Sequence, residues 1–495
     1  MCGFVCLWKI DDKVLARQMI ERIEHRGPDE TAVLSPANIP AVMAHCRLSI
    51  IGTADGSQPI YCSDNVLVAN GEIYNYSDIR AILGESAFET SSDSETILQL
   101  FRSGQMRWVS KLDGMFAFVL ATPERIIAAR DPLGIKPLYV AQLRGGLAFA
   151  SELKAFDGLG LEKLEAIEPG AMFDSRDGIR RWYRLPHGAA ELEPGQSAES
   201  IWRELRLVLE EAVRKWMVAD VEVGSFLSGG LDSSIIAALA ARFSPRRLKT
   251  FAVGLQGSAD VMAARRVAEH IGSDHHELLF SKDDLIEVLP KVVYHLESAD
   301  TDLVRSAIPT HFATTLARRH VKAVLTGEGA DELFAGYAYH QRYADRPRDL
   351  ADELTRSLAA MHNINLQRVD RITMAQGLEA RTPFLDRELI DFAQSIPVTL
   401  KLKETDDGEL VEKWILRKAC EDLLPDDLLW RKKSQFDEGS GTTQALASAL
   451  AAILGLDGPV DRQTEAKLYE RMLREQYQDP DLILNCAGTW AANRV

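Results

Sequence analysis

Two unlike domains are what this sequence predicts: a sheet-rich α+β domain layered with helices, then an α/β domain with a doubly wound parallel sheet and a helical C-terminal part. Three observations predict them. A chain of 495 residues exceeds one core, since domains run to ~150 residues. Up to about residue 184 the pattern is short β-type runs broken by turn residues. From about residue 223 it becomes apolar strand, glycine-bearing loop and helix, repeated.

In chain order, residues 12–24 read as a helix, and 94–102 as a second, with Ile97, Leu98 and Phe101 at helical spacing. Residues 116–120, 125–129, 138–141 and 147–150 read as strands, interrupted by Pro132, Gly134, Gly145 and Gly146. Residues 185–200 are rich in Pro, Gly, Ala, Glu and Ser without a period and read as a linker. Domains are therefore expected over 1–190 and 201–495. Residues 201–219, with Leu205, Leu207, Val208, Leu209, Val213 and Met217, fit a long amphipathic helix. Then 223–227 leads through Gly229-Gly230 into a helix at 235–243, 248–255 into 259–271, and 322–325 into 331–337. Beyond Ala351 the pattern is mainly helical.

A net charge of −16 argues against broad nucleic-acid or membrane-surface binding, but leaves room for a local pocket for a polyanion. The six cysteines include no CxxC pair and read as reduced thiols of a cytoplasmic protein. No basic-then-apolar leader and no apolar stretch of ~18 residues suggests export or membrane insertion.

Cys2 follows the initiator methionine, and methionine is usually removed before a small residue. The mature chain would begin with a thiol beside its own base, an α-amine with a reference pKa near ~8. That pairing suits a glutamine-splitting nucleophile. The bland reading is an incidental cysteine.

Ser228-Gly229-Gly230-Leu231-Asp232-Ser233-Ser234 joins an apolar strand to an apolar helix. Glycines let the backbone approach a phosphate, free amides at the helix start point at it, and the helix dipole favours its charge. This is not the GxxxxGK[ST] loop. An aspartate, Asp232, in a phosphate turn makes sense with a divalent cation, and magnesium takes carboxylates plus phosphate oxygens. Thr326-Gly327-Glu328-Gly329-Ala330-Asp331-Glu332 ends another strand and should face the same crevice. Asp331 is a second candidate metal carboxylate. Glu328 is a candidate base or stabiliser of an attacking amine. Against both stands the plain reading of capped, acidic helix starts. His275-His276-Glu277 reads as structural, with no third or fourth ligand beside it.

With these blocks the chain resembles the glutamine-hydrolysing asparagine synthetases of the bacterial B type, a class II glutamine amidotransferase domain followed by an ATP pyrophosphatase-type synthetase domain. The blocks, in order, are Cys2-Gly3, Arg26-Gly27-Pro28-Asp29, His45-Cys46-Arg47-Leu48-Ser49-Ile50, Asn70-Gly71-Glu72-Ile73-Tyr74-Asn75 and Ser92-Asp93-Ser94-Glu95. Leu112-Asp113-Gly114-Met115-Phe116 and the run from Arg130-Asp131-Pro132 to Tyr139 follow. Beyond the two loops above come Glu379-Ala380-Arg381-Thr382-Pro383-Phe384-Leu385-Asp386 and Trp430-Arg431-Lys432-Lys433. The resemblance implies that Cys2 attacks glutamine and that Asn70 and Gly71 form the oxyanion hole. It implies that Arg47 pairs the substrate carboxylate, while Glu72 and Asp93 hold its ammonium. Asn70-Gly71 also has its usual meaning, a hairpin turn, and Arg47 and Asp93 have a surface ion-pair alternative.

In the second domain the resemblance implies ATP contacts from Ser228, Gly229, Gly230, Asp232, Ser233, Thr326 and Gly327, with Val253 and Leu255 flanking the adenine. Mg2+ would sit on Asp232 and Asp331, and Lys433 would neutralise the departing pyrophosphate. Arg305 is the implied ligand of the acceptor, aspartate, and Arg381 is a second candidate for the same pocket that could equally hold the fold through ion pairs. Asp302 and Leu303 stand where well-known members have adjacent threonines. Asp302 is therefore expected to face away from the acceptor or to pair with an arginine. The implied activity is ATP-driven amidation of aspartate through a β-aspartyl-AMP intermediate, with ammonia passed between domains. A homodimer is the candidate assembly. Two alternatives stand beside it: the same machinery acting on another carboxylate, or a non-catalytic nutrient sensor.

Overall fold

The computed structural model describes residues 2–189, 191, 197–405, 407–431, 439–456 and 458–488. Its N-terminal part packs two six-stranded antiparallel sheets face to face. The strands are β1 (Cys2–Trp8), β2 (Glu30–Leu34), β3 (Ala41–Arg47), β4 (Ile60–Cys62), β5 (Asn65–Ile73), β6 (Gly114–Ala121), β7 (Ile126–Arg130), β8 (Tyr139–Leu143), β9 (Gly146–Ala150), β10 (Lys163–Ala166), β11 (Ala171–Asp174) and β12 (Gly178–Arg181). One sheet runs β10-β8-β9-β1-β3-β2, the other β12-β11-β7-β6-β5-β4. Alternation in β1 explains the layering. Phe4, Cys6 and Trp8 face the inter-sheet core with Met43, Val68 and Val119. Val5 and Leu7 face outward onto Leu15, Met19 and Ile20. Those three lie on the helix Lys13–Glu21, whose start is capped by the Asp12 carboxylate on Leu15 N–H at 2.8 Å. The other outer face, with Leu67, Phe116 and Phe118, is covered by Ile79, Ile97 and Leu98. The helix expected over 12–24 thus ends at Glu21, and a 3-10 turn, Glu24–Arg26, completes the stretch.

The C-terminal part is built on a five-stranded parallel sheet from β13 (Val223–Phe226), β14 (Lys249–Leu255), β15 (Asp274–Phe280), β16 (Ala323–Leu325) and β17 (Glu379–Arg381). Its order, β15-β14-β13-β16-β17, reverses direction between β13 and β16. That switch point opens a crevice at the strands' carboxyl ends. The long helix Ala198–Trp216 and the helix Leu231–Phe243 pack on one another and on this sheet. The expected helical C-terminal part is present, with two departures, of which β17 is the first. The second is a small hairpin, β18 (Leu402–Glu404) and β19 (Leu410–Glu412). Of the stretch read as a linker, residues 190 and 192–196 lie outside the described residues. Just before them, Gly188 N–H donates to Thr355 Oγ1 at 3.1 Å and Ala189 N–H to Gln394 O at 2.8 Å, so the chain is docked there. No described helix is long and apolar enough to cross a membrane.

The two parts meet over a continuous interface. Leu48, Ile50, Tyr74 and Met115 of the first share one apolar cluster with Trp216, Leu389 and Leu416 of the second. Beside it lies a buried ionic seam. Arg26 forks onto Asp370 at 2.8 and 3.1 Å and also pairs Glu152. Lys154 meets Glu297 at 2.9 Å, and Arg371 reaches Glu297 at 2.9 Å and the Tyr139 hydroxyl at 3.1 Å. All these charged side chains are buried. Burial opposes ionisation of Glu152, but Lys154, His25 and Arg26 overcome it and hold its carboxyl well below the usual range. Asp370 is likewise depressed against its burial by Arg26 and Lys136. Both carboxylates are therefore depressed relative to the unfolded chain. Their stabilisation is complete above the unfolded range, about pH 4, and is lost as pH falls through the lower folded values.

Asp370→Ala leaves the Arg26 guanidinium buried without its fork. Breaking such a pair costs about 3–5 kcal/mol. The expected result is a lower urea midpoint by tryptophan fluorescence at pH 7. An unchanged midpoint would mean that the seam contributes no net stability.

Candidate active sites

The first site forms where β1 meets β5 across the sandwich. Cys2, paired with Arg47 in the β1–β3 ladder, donates its backbone N–H to Asn70 Oδ1 at 3.1 Å. Asn70 is wholly buried, and its Nδ2 has no hydrogen-bond partner. A buried, unpaired amide donor beside a thiol is costly unless something accepts from it. Burial pushes the Cys2 thiol up, while the Leu48 amide and the Arg47 guanidinium pull it down.

Asn70-Gly71 is no hairpin turn. Both residues lie inside β5, opposite Ala117 and Phe116 of β6. Gly71 is required there for another reason. Its φ is +136°, and a Cβ would stand 1.9 Å from Met115 O. Long-range pairing with β6 overrides the local turn preference of the dipeptide.

Arg47 is buried, donates to Gly52 O at 2.5 Å and lies 3.7 Å from Glu30, so the surface ion-pair alternative does not describe it. Glu72 and Asp93 are buried too. Asp93 accepts from Ile73 N–H at 2.7 Å, and burial pushes its carboxyl up to about 6. Glu72 is raised well above the usual range by burial, then by the nearby charges of Glu379 and Asp93. Its Oε2 makes no hydrogen bond. Two carboxylates raised in this way favour a cation between them.

The second site is a cleft of about 250 Å³ at the switch point. Ser228, Gly230, Asp232 and Ser233 enter it from the turn after β13, Val253 from β14, and Thr326, Gly327, Glu328 and Asp331 from the turn after β16. Gly229 makes the first turn at φ +76°, where a Cβ would meet Ala264 N at 2.5 Å. The helix that follows, Leu231–Phe243, has no side-chain cap at Gly230, so its first amides are available to an anion. Gly327 lets the two turns touch, since a Cβ on it would lie 2.8 Å from both Asp232 Cβ and Ser233 N.

Asp232 and Asp331 converge on one point. Both Asp232 oxygens and Asp331 Oδ1 lie 2.6 Å from the Lys413 ammonium. The donor set, two carboxylates aimed at a common cation, fits a divalent metal flanked by phosphate. Lys413 belongs to none of the blocks that stand out in the sequence. It follows β19 in a left-handed conformation, φ +54°, and no local pattern marks it.

Several expected residues lie elsewhere. Arg305 does not line the cleft. Its guanidinium is forked onto Glu465 at 2.8 and 2.9 Å. Arg381 does not line it either. It is wholly buried, bound to Glu379 at 2.5 Å and to the Trp216 and Val218 carbonyls at 2.7 Å, and it turns its remaining nitrogen toward Glu72 at 3.8 Å. Arg381 thus belongs with the first site. For Arg305 this is a correction and for Arg381 it is the ion-pair alternative, and both have one physical cause: a nearby carboxylate or backbone carbonyl claims the guanidinium first.

Of the arginines that line the cleft, Arg368, Arg417 and Arg431, the one beside Glu328 is Arg368, which pairs Glu328, donates to Thr310 Oγ1 at 3.0 Å and keeps a buried Nε without a partner. Asp302 reaches the cleft but pairs with Arg462 at 2.8 Å, the arginine pairing expected of it. Leu255 sits to one side, its N–H on Ser440 O at 3.1 Å. Lys433 lies outside the described residues. His275 is held by Thr250 at 2.9 Å and Glu277 at 3.2 Å, and His276 stacks on Phe251, which gives both structural partners.

A family model described as asparagine synthase matches residues 204–350 and 344–492, and one described as glutamine amidotransferase domain matches residues 1–172. The chain is 38% identical over 466 residues to the glutamine-hydrolyzing asparagine synthetase of Asparagus officinalis, covering 89% of this chain and 78% of that one. It is 38% identical to glutamine-hydrolyzing asparagine synthetase 3 of Arabidopsis thaliana, covering 89% and 79%. It is 36% identical to the corresponding enzyme of Sandersonia aurantiaca, covering 89% and 87%.

Gly71→Ala combines an unfavourable backbone region with a backbone clash, and together these cost about 3 kcal/mol. Thermal unfolding should fall accordingly. A variant as stable as the wild type would show that β5 and β6 can slide apart without penalty.

Proposed function

The chain belongs to the glutamine-hydrolyzing asparagine synthetases, and from that membership we propose how its two sites divide the work. It makes asparagine with glutamine as the nitrogen donor. The observation that carries the division is the buried, unpaired Asn70 amide beside Cys2 in one domain, set against the carboxylate pair at the phosphate turns of the other.

In the first site the Cys2 sulfur attacks the side-chain carbonyl carbon of glutamine. The oxygen takes negative charge and is stabilised by Asn70 Nδ2 and the Gly71 amide. With Met1 removed, the Cys2 α-amine relays the thiol proton to the leaving nitrogen. Ammonia departs, a thioester remains, and water converts it to glutamate. Arg47 pairs the substrate carboxylate. Its ammonium supplies the positive charge that the raised Glu72 and Asp93 favour.

In the cleft an acceptor carboxylate oxygen attacks the α-phosphorus of ATP and pyrophosphate leaves. Ammonia then attacks the β-aspartyl-AMP carbonyl and AMP departs. Ser228, Gly229, Gly230, Ser233, Thr326 and Gly327 surround the phosphates and Val253 faces the adenine, with Leu255 behind it. Asp232 and Asp331 would hold Mg2+, which when bound neutralises phosphate charge. Glu328 takes a proton from the attacking nitrogen. Lys433 would neutralise the charge of the leaving pyrophosphate. Arg368, not Arg305 or Arg381, binds an acceptor carboxylate, a role supported by its unpartnered Nε in the cleft wall. Neutralisation of Asp302 by Arg462 supports aspartate as that acceptor. The reading extends to a cytoplasmic protein, in keeping with six free thiols, and to a homodimer without nucleic-acid partners.

Cys2→Ala should abolish glutamine-dependent synthesis and keep ammonia-dependent synthesis. Asp232→Asn should do the converse, ending pyrophosphate release while glutamine hydrolysis continues. Loss of both activities in either folded variant would refute the division.

Arg368→Met removes charged hydrogen bonds worth about 1.5–3 kcal/mol. The KM for aspartate should rise at least tenfold while that for ATP stays near the wild-type value. The companion assay is ATP–pyrophosphate exchange with a panel of carboxylates. Exchange with another acid and none with aspartate would defeat the acceptor assignment and leave the rest standing.

A further inference from the structure

Lys413 is built into the cleft rather than fallen into it. Its side chain is almost wholly buried, at 2% exposure. The residue leaves β19 in a left-handed conformation and anchors its N–H on Phe334 O at 3.2 Å. Its stem then passes directly over Gly336. A Cβ at that position would stand 2.1 Å from Lys413 Cε and 2.0 Å from Asp331 Oδ1. Only glycine leaves the passage open. At its end the ammonium touches three carboxylate oxygens of Asp232 and Asp331, each at 2.6 Å.

We propose that Lys413 is an internal counter-ion that keeps divalent cations off the Asp232–Asp331 pair until the nucleotide arrives, so that metal enters this site only together with ATP. The inference deepens the ATP reading of the cleft and rests on it. A divalent ion at the convergence point would sit about 2.1 Å from the carboxylate oxygens. It would therefore have to displace an ammonium that already occupies that point in a water-poor wall. Alone it gains two carboxylates and loses hydration while setting two cations against each other, an unfavourable exchange. With ATP the balance changes. Phosphate oxygens give the metal further ligands and give the ammonium an anion of its own, so Lys413 can turn from carboxylate to phosphate without leaving the wall. The carboxylates, meanwhile, never face one another uncompensated.

Mn2+ provides the probe, since its free-ion electron paramagnetic resonance signal disappears on binding. Wild-type protein without nucleotide should leave the Mn2+ signal nearly undiminished at equimolar concentrations, and ATP should bring the ion onto the protein. Lys413→Met should bind Mn2+ without nucleotide at least tenfold more tightly than wild type, and Lys413→Arg, which keeps the charge, should not. A second substitution, Asp331→Asn in the Lys413→Met background, should abolish that uptake and so locate it. Thermal unfolding verifies that each variant is folded.

Nucleotide-free Mn2+ binding by wild type as tight as by Lys413→Met, and lost in Asp331→Asn, overturns the proposal. That result is readable from wild type and Asp331→Asn alone should Lys413→Met not fold. The ATP arm tests the underlying reading separately. If ATP brings no Mn2+ onto either wild type or Lys413→Met, the cleft is not an ATP site and ordered entry fails with it.

Discussion

The placement of both sites depends on the buried seam around Arg26 and Asp370. The N-terminal part brings Arg26, Lys136 and Lys154 to it with Glu152 as their internal carboxylate. The C-terminal part brings Glu297 and Asp370 with Arg371. One side carries an excess of positive charge and the other an excess of negative charge. Neither arrangement is tolerable in a dry interior on its own, because an unpaired buried ion costs several kcal/mol. The two halves therefore satisfy each other in one relative orientation. Apolar packing alone would tolerate sliding, whereas forked contacts such as Arg26–Asp370 and the Leu153 and Lys154 amides on Glu297 do not.

That fixed orientation has a consequence at Arg381. Its carbonyl accepts the Thr326 N–H at 2.8 Å, at the start of the phosphate-facing turn, while its guanidinium lies 3.8 Å from Glu72 in the cysteine site. One residue at the end of β17 thus ties the two regions together, by its backbone carbonyl on one side and its guanidinium on the other. Because Arg381 also braces the Trp216 and Val218 carbonyls, it cannot move without disturbing the helix Ala198–Trp216 that joins the domains. The guanidinium stabilises Glu72 as an anion against burial, but it stands too far away to donate a hydrogen bond. Glu72 keeps an acceptor free for a closer cation.

Local rules made much of this molecule legible. The helix read over 259–271 is Ala259–Ile271, capped by the Ser258 side chain on Val261 N–H and closed by Gly272 in the left-handed conformation that glycine favours. The phosphate turns announce themselves because strand, glycine and helix start are contiguous in the chain. The layered sheets of the N-terminal part and the parallel sheet follow from period-2 runs and from alternation, respectively. What remained hidden depends on partners far away in sequence. Arg305 looked like a substrate ligand because Glu465, 160 residues on, is invisible to any local window. Asn70-Gly71 carried a turn signal that β6 cancelled. Arg368 and Lys413 sit in helix or hairpin flanks whose composition is ordinary, and only folding turns them toward the cleft.

The two sites also differ in how they treat charge before substrate arrives, and the difference follows from what each must bind. The first keeps Glu72 and Asp93 poorly compensated, so that binding of an ammonium relieves a strain already present in the fold. Such a site favours a monocation, the ammonium in the proposed reading, and among the described residues no cationic group lies within hydrogen-bond reach of Glu72 Oε2. The second sets the single charge of Lys413 between Asp232 and Asp331, so that a small free cation meets an occupied point. A polyanion has the opposite experience, because every group that holds the carboxylates in check is a group that phosphate can engage. On the proposed division of work, selectivity for an amino acid in one pocket and for a nucleotide in the other thus arises from the same pair of residue types. It is decided by whether a lysine has been threaded between the carboxylates.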